Sequence, residues 1–304
     1  MQAHGTRVMV ITASELNFLY PNAGSTLRSQ FDSWLNEVNV SHGFANAVIS
    51  PHAGYRYSGQ CAAYAFKQID PNSIKRVFIF GPSHHVDIGP RCGLSQCTSF
   101  ETPFYNLPVD LEVYNELNAS GRFVQLTKSV DEAEHSVEMQ LPFLAHVMAG
   151  HFFTIIPVVV GTLSTEDQSL YGRLFAPYLL DPGTVFIISS DFCHWGRRFR
   201  YQYYEQSDGE IWQSIKNLDE KGMKIIETLN PVEFSSYLKR FRNTICGRRG
   251  IGLFLEAVQY IKTQLKPRFH CELRFLHYEQ SHQCRKDDDS SVSYAAASMV
   301  VYDS

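Results

Sequence analysis

"TVFIISSDFCHWG", residues 184–196, changes character half-way along. It opens as an apolar, β-branched run with no alternation of polar residues, the pattern of a strand buried on both faces. It then delivers Asp191, Cys193, His194 and Trp195 in quick succession. A strand that leaves a sheet interior into such a cluster either dissolves into a polar loop or opens onto a reaction site. Two other segments repeat the arrangement. "FANAVIS" (44–50) runs into "PHAGY", which carries His52, and "KRVFIFG" (75–81) runs into "PSHH", which carries His84 and His85.

Between and after these strands the pattern alternates. "GQCAAYAFKQI" (59–69) reads as helix. After a long loop, "VEMQLPFLAHVM" (137–148) also reads as helix, with Pro142 expected to kink it or to mark a late start. "FFTIIPVVVG" (152–161) is a further strand, separated from 184–190 by a helix near 166–179. Helices then dominate, and "HCELRFLHYEQ" and "VSYAAASMVVY" close the chain as strands. This order predicts an α/β fold, a single domain over residues 1–304 with a central mixed sheet flanked by helices. In open α/β sheets ligands bind beyond the carboxyl ends of the strands. Parallel neighbours would therefore bring His52, His84, Asp191 and His194 to one rim.

The 304 residues are 44% hydrophobic and carry 27 basic and 31 acidic side chains, a net charge of −4. That balance gives no general attraction to nucleic acid or to anionic lipid. No apolar run approaches the length of a membrane span, and "VMVI" near the start is too brief for a signal-peptide core. Seven cysteines, with no CxxC pair, read as reduced thiols of a cytosolic protein. "RRFRYQYY" (197–204) interleaves arginine with aromatic residues, but in an acidic chain it reads as packing with arginines around an anion pocket.

Imidazoles and a carboxylate facing one point suit a divalent metal, and two His with one carboxylate is the facial set of non-haem iron oxygenases. "NTICGRRGIG" offers Cys246 as another ligand, with Arg248 and Arg249 expected to favour its thiolate. "HSVEM" places His135 and Glu138 on one helix face, so His135 either reaches the pocket or pairs with Glu138 at the surface. His85, Trp195 and Arg248 are further candidates for the pocket wall.

The stretches "SPHAGYRYSGQCAAYAFKQID", "FIFGPSHHV", "DEAEHSVEMQLPF", "ISSDFCHWGRRFRYQYYEQSDGEI", "NTICGRRGIG" and "SSVSYAAA" closely resemble the Memo family, mediators of receptor-tyrosine-kinase-driven cell motility. The family is similar in fold to the protocatechuate-type extradiol dioxygenases. The resemblance implies that His52, His84 and Cys246 are metal ligands, Cys246 standing where the dioxygenases place a carboxylate. It also implies that His194 is the acid–base histidine, with Asp191 beside it to fix its tautomer. Its cofactor would be an iron or copper ion. Its partners would be receptor-tyrosine-kinase signalling proteins, with a small-molecule substrate if there is turnover. Its location would be the cytoplasm, with the nucleus as a further compartment. The first 43 residues diverge: "ELNFLYP" has Glu15 and Leu19 where relatives carry His and Trp, with Tyr20 retained. The expected role is a redox metal protein, with copper-dependent production of reactive oxygen species as the candidate reaction. A signalling adaptor with a relic pocket and a metal hydrolase are the alternatives.

Overall fold

The computed structural model describes residues 5–7, 23–41 and 43–302. "ELNFLYP" lies outside the described residues. In chain order the elements begin with β1 (Thr6–Arg7), α1 (Ala23–Asn36), β2 (Ala47–Ser50), α2 (Tyr55–Phe66) and β3 (Arg76–Pro82). The stretch expected as a loop before "VEMQ" carries β4 (Cys92–Leu94), β5 (Ser99–Phe100), β6 (Leu107–Pro108), α3 (Leu111–Ala119), β7 (Phe123–Gln125) and α4 (Lys128–Ala133). Then come α5 (His135–Glu138), α6 (Leu141–Val147), β8 (Thr154–Val160), α7 (Thr165–Leu179), β9 (Thr184–Ser189) and β10 (His194–Trp195). The rest is α8 (Ile211–Glu227), α9 (Pro231–Phe241), α10 (Arg248–Tyr260), β11 (His270–Gln280) and β12 (Ser291–Tyr302).

Among the described residues, nine strands form one mixed sheet in the order β12-β2-β9-β3-β8-β4-β7, with β10 pairing the start of β12 and β11 pairing β12 along nearly its whole length. Its centre is four parallel strands, β2, β9, β3 and β8. Every residue of β2 and β9 is buried, so helices cover both faces, as the unalternating sequence predicts. β12 runs antiparallel to β10, β11 and β2, and β4 runs antiparallel to β8 but parallel to β7, which makes the sheet mixed. A small separate sheet joins β1, β5 and β6.

α8 shows why these segments are helices. Ile211, Ile215, Leu218, Gly222 and Ile226 recur at helical spacing and are buried along one stripe. Pro157 sits inside β8, where its missing N–H would break a ladder on most central strands. Here β4 pairs only with Val158–Val160, and the Pro157 carbonyl accepts from the Tyr114 hydroxyl at 2.7 Å. The 137–148 segment is two helices rather than one. Pro142 stands in the first turn of α6, where a missing N–H costs nothing. This break leaves α5 as a short separate turn.

Candidate functional site

β2 and β9 pair with Ser50 opposite Ser189, and β3 lies on the other side of β9. The three carboxyl ends therefore emerge side by side and place His52, Asp191 and His84 on one rim. The His52 backbone N–H donates to Asp191 Oδ1 at 2.8 Å and the Ala53 N–H to the same oxygen at 3.3 Å. This carboxylate laces two strand ends together. His52 Nδ1 lies 2.8 Å from Ser189 Oγ. Ser189 donates its only hydrogen to the Ser136 carbonyl at 2.7 Å and accepts from Gln140 Nε2 at 2.9 Å. His52 Nδ1 must then be the donor, so the lone pair sits on Nε2. Burial, followed by His84 and His135 nearby, pushes the His52 pKa well below its ordinary value. The ring is a neutral base, as a metal ligand must be.

His84 is fixed by the same logic through a stronger partner. Its backbone N–H donates to Glu134 Oε2 at 2.6 Å and its Nδ1 to Glu134 Oε1 at 2.9 Å, again leaving Nε2 free. Glu134 also caps α5 by accepting from the Ser136 N–H at 2.9 Å. Burial pushes its carboxyl upward, but hydrogen bonds and charge from His84, with the Ser136 N–H, hold it at about 2. An imidazole oriented by a carboxylate in this way is a recurrent device at metal sites.

α5 packs closely over the end of β3. A Cβ on Gly81 would lie 2.4 Å from Ser136 Oγ and 2.8 Å from Val137 Cγ2, so only glycine admits this approach. His135, the first residue of α5, is thereby stacked on His84 with ring centroids 4.6 Å apart and sits 5.6 Å from the His52 ring. One nitrogen from each of His52, His84 and His135 lies within 4.8 Å of the others. His135 thus belongs to the three-imidazole cluster, while Glu138 is buried rather than at the surface. Glu134 and Ser189 were not singled out from the sequence. The available signals were a glutamate directly preceding "HS" and a hydroxyl ending an otherwise apolar strand.

Cys246 joins from the loop before α10. Its Sγ lies 3.2 Å from His52 Nε2 and accepts from the Asp191 N–H at 3.2 Å. Gly247 permits this, because a Cβ there would lie 2.4 Å from Ser190 Cβ and 2.5 Å from the Ser189 carbonyl oxygen. The expected thiolate is not favoured by the protein alone: burial, then the Asp191 charge, pushes the thiol well up. Arg248 does not offset this. It donates to the Ile245 carbonyl at 2.9 Å and lines a different cavity together with Arg249. A metal ion would have to supply the charge that deprotonates the sulfur.

Asp191 is buried, and burial pushes its carboxyl above the ordinary range, against the opposing pull of His194 and the two backbone N–H groups. His194, on β10, takes its tautomer from main-chain carbonyls rather than from Asp191 as expected. Its Nδ1 lies 2.9 Å from the Phe192 oxygen and 3.1 Å from the Thr244 oxygen, both pure acceptors, so Nδ1 carries the hydrogen and Nε2 is free. Thr244 Oγ1 further accepts from the His194 N–H and donates to its carbonyl. Trp195 is buried in the core and donates its indole N–H to the Tyr203 carbonyl at 2.8 Å; it anchors the following loop. His85 is exposed, 5.7 Å from the His135 ring. The seven cysteines are all free thiols.

A family profile described as Memo-like protein matches residues 17–298. The chain belongs to the Memo family. Protein MEMO1 of Homo sapiens is 49% identical over 298 residues, covering 97% of this chain and 99% of that protein. Protein MEMO1 of Xenopus laevis is 51% identical over 292 residues, covering 95% and 97%. A more distant Memo relative, Protein memo-1 homolog of Caenorhabditis elegans, is 44% identical over 292 residues, covering 96% and 83%. Among the described residues of this Memo-family chain, no helix is long and apolar enough to cross a membrane.

Proposed function

We propose that this Memo-family chain is a metal-dependent redox protein that holds iron or copper among His52, His84, His135 and Cys246. It acts in receptor-tyrosine-kinase signalling to the cytoskeleton and cell migration, in the cytoplasm and the nucleus. The observation that carries the reading is the matched state of two imidazoles. Ser189 and Glu134 engage the Nδ1 hydrogens of His52 and His84, so both Nε2 lone pairs are offered beside a third imidazole and a thiol. A set with sulfur is softer than an all-nitrogen or carboxylate set and suits iron or copper.

When bound among these residues, such an ion would supply one-electron chemistry, the kind that reduces dioxygen to reactive oxygen species at the expense of an external reductant that is itself oxidised. The residues around it handle protons and position. His194, held through Nδ1, presents Nε2 as a base or, once protonated, an acid. Asp191 holds the ends of β2 and β9 together and neighbours both His52 and Cys246.

The test is elemental analysis of untagged protein purified without added metal, then after loading with Fe²⁺ or Cu⁺ under reducing conditions. About one ion per chain is expected, lost in His52→Ala and His84→Ala. Failure to bind either ion would overturn the proposal. The three imidazoles by themselves favour a second reading, a zinc hydrolase, because three nitrogen ligands with an open position suit activation of water. Selective binding of Zn²⁺ with no oxygen consumption would assign it.

A further inference from the structure

Away from the metal centre, a cavity of about 490 Å³ opens between the first turns of α7 and α10 and one side of α9. Pro231, Phe234, Ser235, Leu238, Lys239 and Arg242 line it, a spacing that is a single helix face. Arg248 and Arg249 also line it, so four cations surround one volume and, among the described residues, no carboxylate is in the wall. Asp219 is buried behind the lining and accepts from Asn243 Nδ2 at 2.8 Å. Asp167 is occupied in the capping box of α7, and Glu166 and Glu233 are not part of the lining. None of the four cations has an ion-pair partner among the described residues. Arg249 Nε, a donor of the wall, is buried and has no hydrogen-bond partner among the described residues; Asn243 Oδ1, likewise buried and unpartnered there, is an acceptor and offers nothing to an anion. Arg242 takes a left-handed conformation, φ 51°, at the end of α9, a position that glycine fills more cheaply.

Four unpaired cations around a concave volume repel one another until an anion enters. Guanidinium forks match phosphate oxygens, the helix ends of α7 and α10 add favourable dipoles, and the volume is that of a typical small-molecule site. We propose that this cavity binds a phosphate-bearing small molecule, its phosphate between Lys239, Arg242, Arg248 and Arg249 and its organic body over Phe234 and Leu238. This site is separate from the metal-dependent reading and does not rest on it.

The experiment is calorimetric titration of the full chain with inorganic pyrophosphate and with AMP, plus co-sedimentation with phosphatidylcholine vesicles containing phosphatidylinositol bisphosphate. Binding in solution, or to the vesicles, supports the site and identifies a soluble ligand or a lipid headgroup as its source. Arg249→Gln, and separately Lys239→Gln with Arg242→Gln on the exposed side, should each weaken binding about tenfold or more, the loss expected for a charge-assisted contact. Lys128→Gln, a cation on α4 paired with Glu132, should leave it unchanged. The exposed pair keeps the test valid if Arg249→Gln fails to fold. Absence of binding to all three probes overturns the proposal. So does affinity lost in His52→Ala but kept in the Lys239→Gln, Arg242→Gln variant, which would move the anion to the metal centre.

Discussion

Glu134→Gln should destabilise the protein by an amount that depends on pH in a calculable way. Glu134 accepts hydrogen bonds from the His84 N–H, the His84 ring and the Ser136 N–H. Its carboxyl sits at about 2 in the fold against an ordinary 4.5. The folded value is depressed, so the stabilisation is present above the unfolded value and is lost as pH falls towards the folded one. A separation of this size corresponds to about 3 kcal/mol at pH 7, falling to about 2 kcal/mol at pH 3.5. Glutamine keeps one acceptor oxygen and turns an amide N–H₂ towards groups that are themselves donors, so it does not replace the carboxylate. Urea unfolding of the metal-free wild type and variant should therefore show a gap of about 3 kcal/mol at pH 7 that narrows on acidification. Groups remote from Glu134 cancel in that difference, whereas His52 and His135, whose protonation its charge favours, work against the narrowing. Equal midpoints at pH 7 would refute the argument that a charged Glu134 holds His84.

Further outcomes are expected at the same site. Ser189→Ala should lower metal affinity about 10–100-fold, because His52 loses the acceptor that fixes its tautomer; competition against a chromogenic chelator measures this. Cys246→Ser and His135→Ala, compared by metal analysis, separate the two readings. Loss of iron or copper in Cys246→Ser supports the redox set, whereas loss confined to His135→Ala supports three-nitrogen ligation. His194→Ala should retain metal while lowering oxygen consumption about 10²–10⁴-fold, the range for removing a general acid or base; metal loss equal to that of His84→Ala would make His194 a ligand instead.

The rim could be read from sequence because it depends on strand ends. Unbroken apolar runs in β2, β3 and β9 announce a sheet covered on both faces, and the first polar residues after each run must emerge on its carboxyl side. What could not be read depends on contacts distant in sequence. Ser189 looks like the last residue of a strand until Gln140 and Ser136 are seen to consume its hydrogen-bonding capacity and hand His52 a fixed tautomer. Cys246 looks activated beside two arginines, yet those side chains turn away and burial reverses the sign. His135 depends on Gly81, whose missing side chain lets α5 descend onto β3. The break before α6 illustrates the opposite case, because Pro142 marks a late helix start by a purely local rule.

β12 has a consequence for how the molecule is made. It lies between β11 and both β2 and β10, so its pairing holds the strand that leads to His52 and the one that bears His194. During synthesis His52 leaves the ribosome 250 residues before Tyr302, an interval of roughly 10–50 s at ordinary elongation rates. Until β12 arrives, β2 lacks one of its two neighbours and His194 lacks its strand partner. The nascent chain thus displays its imidazoles and thiols for seconds before any geometry exists to select among ions. On the proposed reading, loading of the metal would be an event of the finished chain, and early capture by scattered donors would be the error that a cell making this protein has to avoid.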